Sequence, residues 1–202
     1  MFDRPVRWPA VTAGRVVVLN GTTSAGKSTL AAGLQARLTA AGECWFVIGI
    51  DDMFAKLPAA WVTYGKHVGA HADEGISFRL VDGAIERRIG PIGTQVMAGY
   101  RGWVASVARA GLGVIVDEVL LSEEDWIAWQ TELDGLDVLW VRVECALEVL
   151  EARELARDDR PPGLARSQFD LVHRHPTYGV VADTGVVEPE AAVDLVLAAL
   201  PR

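Results

Sequence analysis

The chain alternates short apolar runs with segments whose apolar residues recur at helical spacing. The runs are residues 15–19 (RVVVL), 44–50 (CWFVIGI), 113–117 (GVIVD), 137–143 (DVLWVRV) and a weaker 179–183 (GVVAD). Their length and β-branched content predict strands of a parallel sheet covered on both faces. Residues 27–40 place Leu30, Leu34 and Leu38 on one helical face. Further helices are predicted from Pro91 to about Arg109, from Ser122, over 146–157, and from about Pro189 to Leu200. Ser122 begins a Ser-Glu-Glu-Asp segment, which resembles a capping box. The alternation predicts a three-layer α/β/α fold in one domain, 1–202. Residues 58–90 break the rhythm. There ISFRLV, Asp82-Gly83 and AIERRI read as a hairpin. An insertion at that point would sit above the carboxyl edge of the sheet, where such folds bind ligands, and would form the acceptor region.

Composition narrows this picture. Half of the 202 residues are hydrophobic, which excludes a disordered chain. No run of 18 apolar residues occurs, so no membrane-spanning helix is expected. Residues 1–14 lack an apolar signal core, and Cys44 and Cys145 read as small buried hydrophobes in a reducing compartment. A cytoplasmic location is the expectation. The net charge of −8, without a Lys/Arg run, argues against a nucleic-acid partner. Nothing in the pattern sets an oligomeric state. Among the 19 basic residues only Lys27, Lys56 and Lys66 are lysines. The rest are arginines, whose planar forks suit phosphate.

The sharpest chemical signal is Gly21-Thr22-Thr23-Ser24-Ala25-Gly26-Lys27-Ser28, a full match to G-x-x-x-x-G-K-[ST] between a predicted strand and a predicted helix. Such a loop turns backbone N–H groups toward phosphate oxygens, and the helix N-terminus adds partial positive charge. Lys27 is placed to reach the β- and γ-phosphates, and Ser28 to hold Mg²⁺. The nucleotide-binding set is therefore Gly21 through Ser28, with Thr29 and Arg153. A guanine-specific switch would need an Asn/Thr-Lys-x-Asp element, which is absent, as is the signature of a transporter ATPase. A small kinase remains.

Such a kinase needs a carboxylate near the metal, a group that orients the acceptor hydroxyl, and cations for the transferring charge. Asp117 ends the run GVIVD at the sheet edge and is the candidate metal ligand with Ser28; Glu118 lies beside it. Asp51 ends CWFVIGI at the same edge and is the candidate base. Asp52 is the alternative, with the other of the two free to cap a helix beginning near Met53. Arg153, Arg157 and Arg160 fall at i, i+4 and i+7 before Pro161-Pro162-Gly163, which predicts a lid over about 153–170 with three arginines on one face. The competing reading is a solvated face paired with Glu154, Asp158 and Asp159. Trp103, Trp126, Trp129 and Trp140 read as core, while Phe54, Trp61 and Tyr64 could line an aromatic pocket. His173 and His175 read as loop or nucleotide-edge residues.

These residues together resemble the chloramphenicol phosphotransferase family. The matching pieces are VVLNGTTSAGKS, GIDDMFAKLP, ARAGLGVIVDEVLL and DVLWVRVECALEVLEARELARDDRPPG, with VH at 172–173 and VADTG at 181–185. They occur in family order from about Val16 to Leu200. The resemblance implies a P-loop NTPase fold with a helical lid and a five-stranded sheet in the order 2-3-1-4-5, using ATP and Mg²⁺. It places the catalytic carboxylate at Asp51, the loop lysine and serine at Lys27 and Ser28, and the lid arginines at Arg153, Arg157 and Arg160. The implied reaction is transfer of the γ-phosphoryl group of ATP to a hydroxyl of a small molecule, with an antibiotic as one candidate acceptor. The alternatives are a metabolic kinase of a nucleoside, nucleotide or sugar acid, and a nucleotide-binding regulator without turnover.

Overall fold

A computed structural model describes residues 14–64, 67–81, 84–157 and 162–200. In chain order, β1 (Arg15–Asn20) leads through the Gly-rich loop into α1 (Lys27–Ala40), and β2 (Trp45–Gly49) leads directly into α2 (Ile50–Lys56). The insertion holds β3 (Val62–Tyr64), β4 (His67–Val68), β5 (Ile76–Val81) and β6 (Ala84–Ile89). Then come α3 (Pro91–Arg109), β7 (Gly113–Glu118), α4 (Glu123–Glu132) and β8 (Asp137–Glu144). The chain ends with α5 (Leu147–Leu155), α6 (Leu164–Phe169), β9 (Val180–Asp183) and α7 (Pro189–Ala199).

The main sheet has the order β2-β7-β1-β8-β9, and every pair in it is parallel. Counting only these five strands, that is 2-3-1-4-5. The apolar runs are continuous because both faces are covered. Side chains alternate along β1: Val17 and Leu19 join the core under α1 and α7 with Leu34, Val193 and Val196, whereas Val16 and Val18 join the core under α3 and α4 with Met97, Tyr100 and Trp129. Tyr100 meets Trp129 edge to face at 5.4 Å. Trp103, expected in this core, is 46% exposed, because the buried stripe of α3 runs through Gly93, Met97, Tyr100, Val104 and Ala108 and leaves position 103 outside it. Cys44 is likewise exposed, and only Cys145 is buried. At the β2–β7 pair, Gly113 is a requirement of close approach: a Cβ there would lie 2.1 Å from the Trp45 ring.

The insertion is a second sheet, β4-β3-β5-β6, in which the expected β5–β6 hairpin runs from Ile76↔Ile89 to Val81↔Ala84. Its turn, Asp82-Gly83, lies outside the described residues. β3 and β4 went unforeseen, because strands of three and two residues carry no alternation to detect. Arg87 on β6 pairs with Asp125 in the first turn of α4, which fastens this sheet to the main domain.

Candidate active site

Gly26 precedes α1 at φ 85°, and Ser24 takes φ 62°. These two left-handed residues fold the loop back so that its N–H groups converge. The first turn of α1 holds no acidic residue, leaving its positive end open to an anion. Lys27 is buried, with Nζ donating to Thr22 O at 2.8 Å and lying 3.6 Å from Asp117. The Thr23 and Ser24 hydroxyls are buried and meet no hydrogen-bond partner among the described residues. Unsatisfied buried donors beside converging N–H groups fit a polyphosphate.

Asp117, near the end of β7, accepts a hydrogen bond from Ser28 Oγ at 2.6 Å. Among the described residues no cluster of three or more His, Cys, Asp or Glu could hold a metal. One hydroxyl and one carboxylate suit Mg²⁺, which keeps waters and takes phosphate oxygens as its remaining ligands. Glu118 had no role in the sequence reading beyond being Asp117's neighbour. It is buried in the cleft wall, accepts from Val119 N at 2.8 Å and from Trp129 Nε1 at 3.2 Å, and burial pushes its carboxyl up to about 7.

α2 begins at Ile50, directly after β2, so Asp51 and Asp52 stand in its first turn. The expectation that Asp51 ends the strand and that the helix begins near Met53 is corrected by this. Asp52 Oδ2 accepts the Gly49 N–H at 2.9 Å and is the capping residue. Asp51 lines a cleft of about 400 Å³ together with residues 23–30 of the phosphate-loop segment, Asp117, Phe54, Phe78 and Arg87. Phe54 and Phe78 meet edge to face at 5.9 Å. Trp61 does not line this cleft; it stacks on His71 at 4.9 Å. The Tyr64 side chain lies outside the described residues.

The region expected to form a lid differs from a three-arginine helix. α5 ends at Leu155, so Arg157 follows the helix rather than standing on it. Arg157 lines the cleft, and Arg160 lies outside the described residues. Arg153 donates to Thr184 O at 2.8 Å, Thr184 Oγ1 at 3.1 Å and Ser24 O at 3.5 Å, tying the turn after β9 to the phosphate loop. Glu154 is buried and belongs to no solvated face. Its oxygens accept the Gly163 and Ala165 N–H groups at 2.7 and 2.8 Å and cap α6. Gln168 on α6 is a further residue that sequence reasoning missed; its Oε1 accepts the Thr23 N–H at 2.8 Å.

Behind the loop, Asn20 Nδ2 donates to Val172 O and Tyr178 OH, at 2.8 and 2.7 Å, while Oδ1 accepts Leu120 N at 2.8 Å. His173 Nδ1 lies 2.9 Å from Tyr178 OH. Burial first, then the Arg142 charge, pushes the His173 imidazole down to about 4. It is therefore a neutral structural partner of Tyr178.

The description "Chloramphenicol phosphotransferase-like protein" matches residues 14–201. Two Mycobacterium tuberculosis proteins, from strains CDC 1551 / Oshkosh and ATCC 25618 / H37Rv, are provisionally named O-phosphotransferases. Each is 30% identical over 181 residues, covering 85% of this chain and 75% of the relative. The M. tuberculosis APS kinase in complex with AMPPNP and APS superposes at a TM-score of 0.65 with 15% identity, over 93% of this chain and 98% of that one. A gluconokinase from Sinorhizobium meliloti 1021 gives 0.54 with 16% identity, over 95% and 93%. At such identities the solved structures establish the fold, that of phosphate-loop kinases.

Proposed function

The chain belongs to the chloramphenicol phosphotransferase-like family and is a kinase, and from that premise we propose that it moves the γ-phosphoryl group of ATP to a hydroxyl of a small organic acceptor that bears no phosphate. The observation that carries this reading is the shared cleft, whose lining includes both the phosphate loop and Asp51. In the proposed reaction the acceptor oxygen forms a bond to the γ-phosphorus, the bond to the β-bridging oxygen breaks, and the acceptor proton passes to the Asp51 carboxylate. Lys27, the loop N–H groups and Arg157 stabilise the charge that develops on the phosphoryl oxygens. Arg160 is assigned the same role from the sequence pattern. Ser28 and Asp117 are the groups that would hold Mg²⁺, which when bound neutralises phosphate charge.

The acceptor's class follows from the charges around the cleft. A nucleotide acceptor needs a basic clamp for its own phosphate. Arg79 and Arg88 both pair with Asp73, Arg87 pairs with Asp125, and of these arginines only Arg87 lines the cleft. The Phe54–Phe78 pair offers an apolar wall instead, which suits a ring-bearing hydroxyl compound, antibiotics among them.

The test is a mass-spectrometric screen for phosphorylated product, using ATP, Mg²⁺ and a panel of hydroxylated acceptors with and without their own phosphates. Product from phosphate-free acceptors is the expected result, lost in Lys27→Ala. ATP binding without consumption on any acceptor would mark a regulator. Turnover confined to phosphorylated acceptors would mark a nucleotide-type kinase.

A further inference from the structure

Besides Arg153, one neutral side chain of the predicted lid region touches the phosphate loop. Gln168 is 5% exposed, stands on α6 and lines the cleft. Its partner, the Thr23 N–H, can only donate, so the amide end that meets it at 2.8 Å must be Oε1. That fixes the orientation of the whole planar group. The other end, Nε2, carries two donor hydrogens beside the loop, and neither meets a partner among the described residues. Nε2 is not sealed from solvent; it faces the cleft, so a ligand there can take the place of water on a donor whose direction is already set. The Thr23 and Ser24 hydroxyls of the same loop are buried and meet no partner among the described residues. Three polar groups from the lid and from the loop's first arm thus belong to residues that line one cleft.

Position separates these groups from the remainder of the loop. Gly26, Lys27 and Ser28 open α1, whose N-terminal N–H groups would take the inner phosphates while the Lys27 side chain extends toward the γ-phosphate. Thr23 lies before the left-handed turn at Ser24, on the arm covered by α6. The place of α6 is itself set by Glu154, whose carboxylate caps the helix at Gly163 and Ala165.

Resting on the reading of this cleft as an ATP site, we propose that Gln168 contacts the substrate: its Nε2 donates a hydrogen bond to an oxygen of the γ-phosphoryl group, so that the lid distinguishes ATP from ADP. The acceptor end holds the loop, and the donor end reads the third phosphate. A neutral donor adds this contact without a second buried cation beside Lys27.

Calorimetric titration of Mg–ADP and Mg–AMPPNP into wild type, Gln168→Met and Gln168→Glu tests the assignment. The Met side chain keeps the length and loses both bonds. The Glu side chain keeps an acceptor for Thr23 but has no donor. A single charge-assisted bond is worth about tenfold to a hundredfold in affinity. AMPPNP binding should therefore weaken by about that factor in both variants, with ADP binding in Gln168→Met changed no more than about twofold. Thermal melts accompany the titrations; should the Met variant melt early, the Glu variant, which retains the Thr23 bond, decides alone. Wild-type AMPPNP affinity in Gln168→Glu, or an equal loss for both nucleotides in Gln168→Met, would overturn the assignment and leave Gln168 as a loop support. Wild-type protein that binds neither nucleotide would overturn the ATP-site reading itself, a result distinct from either.

Discussion

Asp52 places its carboxylate on the Gly49 N–H, whereas Asp51, one residue earlier, lines the cleft. Neighbouring carboxylates thus do different work because the first turn of a helix points them apart. Asp51→Asn should lower the transfer rate by about 10²–10⁴, the range for a positioned acid–base group, with nucleotide affinity little changed. Steady-state rates beside ATP titrations check this. Asp52→Ala should leave transfer nearly intact and lower stability by about 1 kcal/mol through loss of the cap, read from urea unfolding. If Asp52→Ala proves the more damaging to rate, the two roles are exchanged. The phosphate loop, Asp51 and Asp117 stood out as candidates in the sequence because each follows or ends an apolar run, although Asp51 stands in the first turn of α2 and Asp117 within β7. Glu118 and Gln168 did not. Glu118 is distinguished only by its burial against Trp129, and Gln168 only by a contact with a residue 145 positions away.

At the level of elements, apolar runs announced all five main-sheet strands, β9 more weakly than the others, and helical spacing announced the packed helices. The β3 and β4 strands were too short to be announced, and the end of α5 could not be fixed by arginine spacing, since Arg157 stands just past it. That position still leaves Arg157 in the cleft lining. Arg157→Ala should therefore reduce the rate with acceptor present far more than it weakens ATP binding, and Arg157→Lys should restore only part, since a point charge replaces a fork poorly. A rate unchanged in Arg157→Ala would leave Arg157 without a role in transfer. The β2–β7 pair yields a prediction about packing. Gly113→Ala puts a methyl group 2.1 Å from the Trp45 ring, and the clash should cost about 1–3 kcal/mol, seen as a lower urea midpoint. A midpoint equal to wild type would mean that Trp45 moves aside without penalty.

Across the whole molecule, one buried and one half-buried titratable group tilt stability in opposite directions with pH. Glu118 has its carboxyl raised from the ordinary 4.5 to about 7, by burial above all. Its contribution is fully present below about pH 4.5 and is lost as pH rises through about 7. His173 is lowered from 6.5 to about 4, so its contribution is present above pH 6.5 and is lost as pH falls toward 4. Between pH 4.5 and 6.5 the two oppose each other, so a difference against a variant is more telling than the raw profile. Glu118→Gln removes one of them. Its stability relative to wild type should rise by as much as about 3 kcal/mol between pH 4.5 and pH 8, measured by denaturant unfolding at each pH. A difference that stays flat across that range would mean that Glu118 titrates normally.

The placement of β1 has a consequence for how the molecule comes into being. It is the middle strand of the main sheet, and its two neighbours arrive late: Val16 pairs with Val114 on one side and with Val138 on the other. During synthesis, at about 5–20 residues per second, this strand must wait on the order of ten seconds before either edge is covered. Until then both edges offer unpaired N–H and C=O groups and valine side chains to any passing chain. Such long-range parallel pairing also slows folding. Newly made chains of this protein should therefore depend on early shielding of residues 15–20, which α1 can provide on one face only.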